Sequence, residues 1–94
     1  MFDIKLLIVE DDSIIRNIFE RALSKYVPNI YTAKNGEEGL NKYLEIKPDL
    51  ILTDIKMPIM NGLDMINEIR EYDTGVRIII MSAYGESRYF LNAI

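Results

Sequence analysis

Short runs of residues that are apolar at nearly every position constrain the fold of this chain more than any other feature. They cover residues 6–9, 50–53 and 77–81. Strands of a parallel sheet are buried on both faces, so they carry apolar side chains at consecutive positions. A short alternating segment at residues 30–33 is typical of an edge strand. The sequence therefore predicts four strands of a parallel sheet.

The segments between these strands follow the helical period. Asn35 predicts the N-cap of a second helix, with Glu38 completing a start that resembles a capping box, and Asn61 predicts the start of a third helix. Residues 86–94 predict the beginning of a fourth helix. The first helix is predicted by apolar residues that recur on one helical face: Ile14, Ile15, Ile18, Phe19, Ala22, Leu23 and Tyr26.

The alternating order of strands and helices indicates the fold class. Repeated β-α units with right-handed crossovers give a parallel sheet with helices on both faces. We therefore expect one α/β domain over residues 1–94 with a doubly wound parallel sheet.

Composition restricts the chemistry that this domain can carry out. The chain has no cysteine and no histidine, so disulfides and thiolate or imidazole metal sites are excluded. A metal would be held by oxygen ligands, which favours Mg²⁺, Ca²⁺ or Mn²⁺. The net charge of −4, without a cluster of Lys and Arg, argues against nucleic-acid binding. The apolar run at residues 6–9 is too short to cross a membrane, and we expect a cytoplasmic protein without membrane contact.

Reactive side chains follow three of the predicted strands. Glu10 and Asp11 come directly after the first strand, Asp54 after the third and Ser82 after the fourth. Ligands of such sheets bind beyond the carboxyl ends of the strands. We therefore expect the carboxylates to project into one crevice, where Mg²⁺ would relieve their mutual repulsion.

A carboxylate in such a crevice can act as a nucleophile and form an aspartyl phosphate. Asp54 is the best candidate because it ends a buried strand beside a turn, which Pro58 and Gly62 are expected to shape. Asp11 would bind the metal together with Asp54, and Glu10 would reach it through water. The Ser82 hydroxyl is suited to hydrogen-bond a phosphoryl oxygen.

Each of these signals also has a structural interpretation. Acidic residues after a strand often only start a helix, and Asp12 is expected to be an N-cap or first-turn acid. Asp54 alone would be read as a turn former, and Ser82 alone as a loop residue. The functional interpretation depends on their convergence at one edge of one sheet.

Three motifs carry a resemblance to a known family. They are the segments LIVEDD at residues 7–12, DIKMPIMNG at 54–62 and MSA at 81–83. In this order and spacing, the chain resembles the receiver domain of two-component response regulators from Leu6 to its last residue. The resemblance implies a flavodoxin-like doubly wound fold with strand order 2-1-3-4-5.

The resemblance also implies an activity and its residues. Asp54 would be the phosphoacceptor, taking a phosphoryl group from the phosphohistidine of a sensor histidine kinase or a phosphotransfer protein. Asp11, Asp54 and the backbone carbonyl of Lys56 would bind Mg²⁺ directly, with Glu10 as the first acid of the pair. Ser82 would follow the phosphoryl group and couple it to the face of the fourth helix, where an output domain or partner would bind. The side chains of Lys56 and Tyr84 would flank the pocket and tune the lifetime of the phosphoryl group.

The sequence departs from the family pattern after the fourth strand. It ends where the family has its fourth helix, so we expect an incomplete receiver lacking the fifth strand, the fifth helix and the lysine that pairs with the phosphate. The run at residues 77–81 would then be an open sheet edge, prone to self-association or to cover by a partner.

Competing functions follow from the same residues. The main alternative is a truncated, receiver-like interaction module that binds partners without phosphotransfer. A phosphatase built on Asp54 is less favoured, because such enzymes need a second acid two positions later, where this chain has Lys56. We expect a signalling domain that assists only its own phosphorylation and dephosphorylation.

Overall fold

The computed structural model describes residues 2–84 and 87–93, with side chains from residue 2 to residue 81. Five strands form one sheet in the order β2-β1-β3-β4-β5. Their bounds are β1 Lys5–Val9, β2 Asn29–Ala33, β3 Leu50–Asp54, β4 Arg77–Tyr84 and β5 Ser87–Ala93. The helices are α1 Ser13–Leu23, α2 Gly36–Ile46 and α3 Gly62–Tyr72.

The first four strands are parallel, which confirms the predicted doubly wound α/β sheet. Val9 lies opposite both Ala33 of β2 and Thr53 of β3. This register places the residue after Val9 level with Asp54, at the carboxyl edge of the sheet. The topology therefore brings together strand ends that are far apart along the chain.

Side chains at the helix starts satisfy backbone N–H groups that have no partner within the helix. Asp12 caps α1, because its Oδ1 accepts hydrogen bonds from the N–H groups of Ile14 and Ile15. Asn35 accepts from the N–H of Glu38 at 2.8 Å, and Asn61 accepts from the N–H of Asp64 at 2.8 Å. All three predicted helix starts are confirmed.

Two apolar layers cover the sheet, and they differ in how deeply the side chains of their helices are buried. One face is covered by α2 and α3, which contribute Tyr43, Met65, Ile66 and Ile69 to the core. The other face is covered by α1, whose Phe19 and Leu23 pack there without being fully buried. An apolar groove of about 290 Å³ remains beside α1, lined by Leu6, Phe19, Leu23, Val27, Leu50, Leu52 and Ile79.

The predicted fourth helix at residues 86–94 is wrong for the part of it that the structure describes. Ser87–Ala93 is strand β5, which pairs antiparallel with β4, so that Tyr84 lies opposite Ser87 and Ile78 opposite Ala93. The sheet therefore has an antiparallel fifth strand, which is distinct from the parallel fifth strand that we expected this chain to lack.

The physical reason lies at the edge of β4. An unpaired edge leaves backbone N–H and C=O groups without partners, and a helix over residues 87–93 would not satisfy them. In the structure β5 pairs with this edge. The edge that we expected to be open to a second chain is covered from within the same chain.

Across residues 2–84 and 87–93, no helix has the length and apolar character needed to span a membrane.

Candidate functional site

Three carboxylates meet at the carboxyl edge of the sheet, where β1 and β3 end. Glu10, Asp11 and Asp54 each offer an oxygen atom, and these atoms all lie within 4.8 Å of one another. The three residues differ in exposure. Glu10 is buried with 3% of its surface exposed, Asp54 is half-buried and Asp11 is exposed. The site is therefore an acidic pocket whose inner side is buried and whose outer side is exposed to solvent.

Backbone contacts hold Glu10 at the inner wall. Its Oε2 accepts a hydrogen bond from the N–H of Asp12 at 3.1 Å, and its own N–H donates to the carbonyl of Ala33 at 3.0 Å. The Arg16 guanidinium donates to the Glu10 carbonyl at 2.8 Å. The first of these contacts orients the Glu10 carboxylate, and the other two hold the backbone of Glu10 in place.

Burial and neighbouring charges change the acidity of Glu10. Removal from water has the largest effect, and together with a hydrogen bond from the protonated Glu10 carboxyl to Asp11 and the negative charges of Asp54 and Asp11 it raises the pKa of Glu10 from 4.5 to about 7. The hydrogen bond from the Asp12 N–H acts in the opposite direction and lowers the pKa. The net effect of the pocket is to favour the protonated form of Glu10.

The Asp54 carboxylate is oriented by the turn that follows β3. Its Oδ1 accepts from the N–H of Ile55 at 2.7 Å, and the Thr53 hydroxyl donates to the Asp54 carbonyl at 2.9 Å. Gly62 packs against this carbonyl so closely that a Cβ atom on residue 62 would clash with it. The start of α3 is therefore fitted directly against the backbone of Asp54.

The loop from Ile55 to Gly62 forms the rim of the pocket. The Gly62 N–H donates to the Ile55 carbonyl at 2.8 Å and closes the base of the loop. Inside it, the Met60 N–H donates to the Pro58 carbonyl at 2.8 Å. Pro58 and Gly62 therefore take part in shaping the loop as the sequence predicts, and Lys56 lies exposed on it.

Ser82 and Tyr84 belong to β4, the strand next to β3. Asp54 lies opposite Met81, which places the backbone of Ser82 one residue beyond Asp54 along the neighbouring strand. Both side chains lie outside the part of the structure whose side chains are described. Their predicted contacts with a phosphoryl group stay predictions.

Sequence reasoning missed two contributors to this site. Arg16 lies one helical turn after the Asp12 cap. Because side chains of a helix tilt toward its N-terminus, the Arg16 guanidinium can donate to the Glu10 carbonyl, and helix geometry could have predicted this contact. Thr53 is the last residue before Asp54, where a hydroxyl in an otherwise apolar strand is the available signal.

Comparison with known proteins gives the family. The model of the response regulator receiver domain matches residues 6–94. The chain belongs to this family. Chemotaxis protein CheY of Thermotoga maritima is 38% identical over 91 residues, which cover 96% of this chain and 76% of the relative. Sporulation initiation phosphotransferase F of Bacillus subtilis is 36% identical over 86 residues, which cover 92% of this chain and 69% of the relative.

Solved structures agree with this assignment. The N-terminal domain of an uncharacterised protein from Wolinella succinogenes superposes with a TM-score of 0.82 at 38% identity, covering 87% of this chain and 66% of that one. The response regulator domain of Thermotoga maritima CheB superposes with a TM-score of 0.78 at 30% identity, and the match covers 93% of this chain and 66% of that one. The receiver chain thus spans about two thirds of these solved chains.

The donor set of the receiver pocket fits a small, hard cation. All three carboxylates offer oxygen, the ligand type that Mg²⁺ and Ca²⁺ prefer, and the chain contains no softer His or Cys ligand. A cation in the pocket would favour the ionised form of Glu10, whose pKa is raised by burial. The residues present are therefore compatible with the metal that receivers use.

Proposed function

We propose that Asp54 is the phosphoacceptor of this receiver domain. The observation that carries the proposal is the pocket itself, in which the Asp54 carboxylate lies within 4.8 Å of two further carboxylates at the carboxyl edge of a parallel sheet. The phosphodonor would be a phosphohistidine on a histidine kinase or phosphotransfer protein. The product, an aspartyl phosphate, would serve as a signal and not as an intermediate of an external reaction.

The reaction is a displacement at phosphorus. An Asp54 carboxylate oxygen forms a bond to the phosphorus atom, the bond from phosphorus to the histidine nitrogen breaks, and the imidazole leaves with the electron pair and takes up a proton. The Ile55 N–H, 2.7 Å from Oδ1, holds one oxygen in place and directs the other toward the donor. No side chain has to accept a proton from the nucleophile, because Asp54 reacts as the carboxylate.

Asp11, Asp54 and the backbone carbonyl of Lys56 would hold Mg²⁺, with Glu10 acting through water. The metal would supply positive charge that offsets the repulsion between the carboxylates and the incoming phosphoryl oxygens. The contribution of the protein is to keep these oxygen atoms together before the donor arrives. Backbone hydrogen bonds to Glu10 and Asp54 perform that task.

Ser82 is proposed to hydrogen-bond the phosphoryl group and to report its presence to the adjoining surface. Its support is the pairing of β3 with β4, which places the Ser82 backbone on the strand beside Asp54. A change in the hydroxyl contact would bias a two-state equilibrium of the neighbouring segment.

Mass spectrometry after incubation with acetyl phosphate and Mg²⁺ tests the phosphoacceptor role. We expect an adduct of one phosphate on the wild-type chain and none on Asp54→Asn. Asp64→Asn is the matched control, because Asp64 is an exposed acid in the first turn of α3 and outside the carboxylate pocket. An adduct that persists in Asp54→Asn would place the phosphate elsewhere.

A second candidate is an interaction module that binds partners without phosphotransfer. The observation that favours it is that β5 pairs antiparallel with β4, so this strand is not the parallel fifth strand at whose end the family resemblance places a phosphate-pairing lysine. On this hypothesis Mg²⁺ binds, but acetyl phosphate leaves no adduct on Asp54. The same mass measurement, combined with a Mg²⁺ titration followed by NMR, separates the two functions.

A further inference from the structure

Ile59 has an unusual backbone conformation. Its φ angle is 72°, in the left-handed region that β-branched residues rarely adopt. The hydrogen bond from the Met60 N–H to the Pro58 carbonyl, at 2.8 Å, closes a three-residue turn centred on Ile59. Glycine is the residue that enters this region without steric cost. The side chain of Ile59 therefore strains the turn that carries it.

Neighbouring backbone holds this turn from two sides. The Gly36 N–H, at the start of α2, donates to the Met60 carbonyl at 2.8 Å, and a Cβ atom on residue 36 would clash with that carbonyl. On the other side, the hydrogen bond from the Gly62 N–H to the Ile55 carbonyl closes the base of the loop. A strained residue persists when its surroundings determine the conformation, as they do here.

The Ile59 side chain contributes to neither core layer. It is 76% exposed, more than any other large hydrophobic side chain within the described part of the chain. Ile55, Met57 and Met60 of the same loop do pack against the core beneath it. The loop thus directs these three apolar side chains inward and Ile59 outward, and folding gains little from the outward one.

The position of Ile59 relates it to the carboxylate pocket. The loop that displays it starts directly after Asp54 and returns to the Asp54 backbone at Gly62. Leu63, which follows in the first turn of α3, is 47% exposed. The exposed Ile59 side chain, on a turn held by neighbouring backbone, therefore lies on the loop at the rim of the pocket that a phosphodonor must approach.

We propose that Ile59 is a docking anchor for the protein that delivers the phosphoryl group to Asp54. The inference rests on the proposed function of Asp54. The side chain would insert into an apolar recess of the donor protein beside its phosphohistidine. A braced aliphatic group loses little freedom on binding and gains from the burial of its apolar surface. A small phosphodonor such as acetyl phosphate has no such surface and does not use this contact.

Two phosphodonors separate docking from chemistry. The first is acetyl phosphate, and the second is the autophosphorylated histidine kinase that phosphorylates the wild-type chain fastest in a panel of purified kinases. We expect Ile59→Ala and Ile59→Gly to lower kcat/KM with the kinase by about tenfold, mostly through KM, as for an interface hot spot. Labelling by acetyl phosphate should stay within about twofold of wild type, because the transfer chemistry does not involve the side chain.

Two further variants complete the design. Ile59→Met keeps a large apolar group and should restore most of the transfer from the kinase. Leu44→Ala removes an exposed apolar side chain of α2 that lies outside the pocket rim, and should leave both reactions unchanged.

Each outcome decides between the hypotheses. Transfer from the kinase at the wild-type rate in both Ile59→Ala and Ile59→Gly overturns the docking role. So does an equal loss with both donors, which would mean that the turn acts on Asp54 itself. Labelling of the wild type by acetyl phosphate but by no kinase also counts against docking. Absence of labelling by either donor instead contradicts the phosphoacceptor function.

Discussion

The carboxylates of Glu10 and Asp54 have oxygen atoms within 4.8 Å of each other, at the ends of two adjacent parallel strands. Glu10 is the buried member of this pair, and burial, together with the negative charges of Asp54 and Asp11, raises the pKa of its carboxyl. The arrangement costs stability when the pocket is fully ionised and favours any cation that enters it.

The stability of the metal-free domain should fall as pH rises from 5.5 to 7.5. The pKa of Glu10 is about 7 in the folded state against 4.5 ordinarily, so in this interval the folded state holds more protons than the unfolded state. The Glu10 contribution amounts to a loss of about 2 kcal/mol in the free energy of unfolding. Urea unfolding in EDTA at several pH values measures it. Glu10→Gln should remove most of this slope, and an unchanged slope would contradict the assignment to Glu10.

Mg²⁺ affinity should depend on Asp11 and on pH. Asp11→Asn removes one of the three carboxylates, and we expect the Kd for Mg²⁺ to rise about tenfold or more, as measured by isothermal titration calorimetry. In the wild type, affinity should weaken below pH 7, because the proton on Glu10 competes with the cation. Asp12→Asn is the control, since asparagine also caps helices and the Asp12 side chain already binds the backbone of α1. Equal losses in both variants would indicate a general charge effect.

Gly62→Ala should destabilise the domain by about 3 kcal/mol or more, because its Cβ would meet the Asp54 backbone carbonyl, which cannot move without disturbing β3. If the added Cβ atom displaces the Asp54 backbone, the Asp54 carboxylate moves with it, and Mg²⁺ binding should weaken as well. Gly75→Ala is the matched control, since a Cβ there would lie 3.6 Å from Asp73 Oδ1, an ordinary contact. Thermal unfolding of the two variants measures the difference, and similar melting temperatures would contradict the close fit at Gly62.

Ile59→Gly should raise the free energy of unfolding by about 1 kcal/mol, because glycine adopts the left-handed conformation at residue 59 without the steric cost of a β-branched side chain. Ile59→Ala keeps the Cβ atom and should change stability much less. Urea unfolding of the three proteins makes the comparison. A loss of stability in Ile59→Gly would show that the side chain supports the fold and would remove the basis for an outward role.

Much of the site was accessible from local sequence signals. The apolar runs that end in Glu10 and Asp54 predict buried strands, and parallel strands end at a common edge, so the meeting of their carboxylates follows from topology. Asp12, Asn35 and Asn61 cap helices because of their own side-chain chemistry, which acts over three or four residues. Such signals depend on short stretches of chain and can be read before any packing is known.

The sequence by itself determined the four parallel strands, the three helices and their caps, and which acids stand at the strand ends. The tertiary structure decided what residues 87–93 do, because a short segment of mixed pattern becomes helix or strand according to whether an unpaired edge such as that of β4 is available. It also decided the burial that raises the pKa of Glu10 and the bracing that holds Ile59 at a positive φ. These features depend on residues distant in sequence, such as Gly36 against Met60, whose proximity exists only in the folded chain.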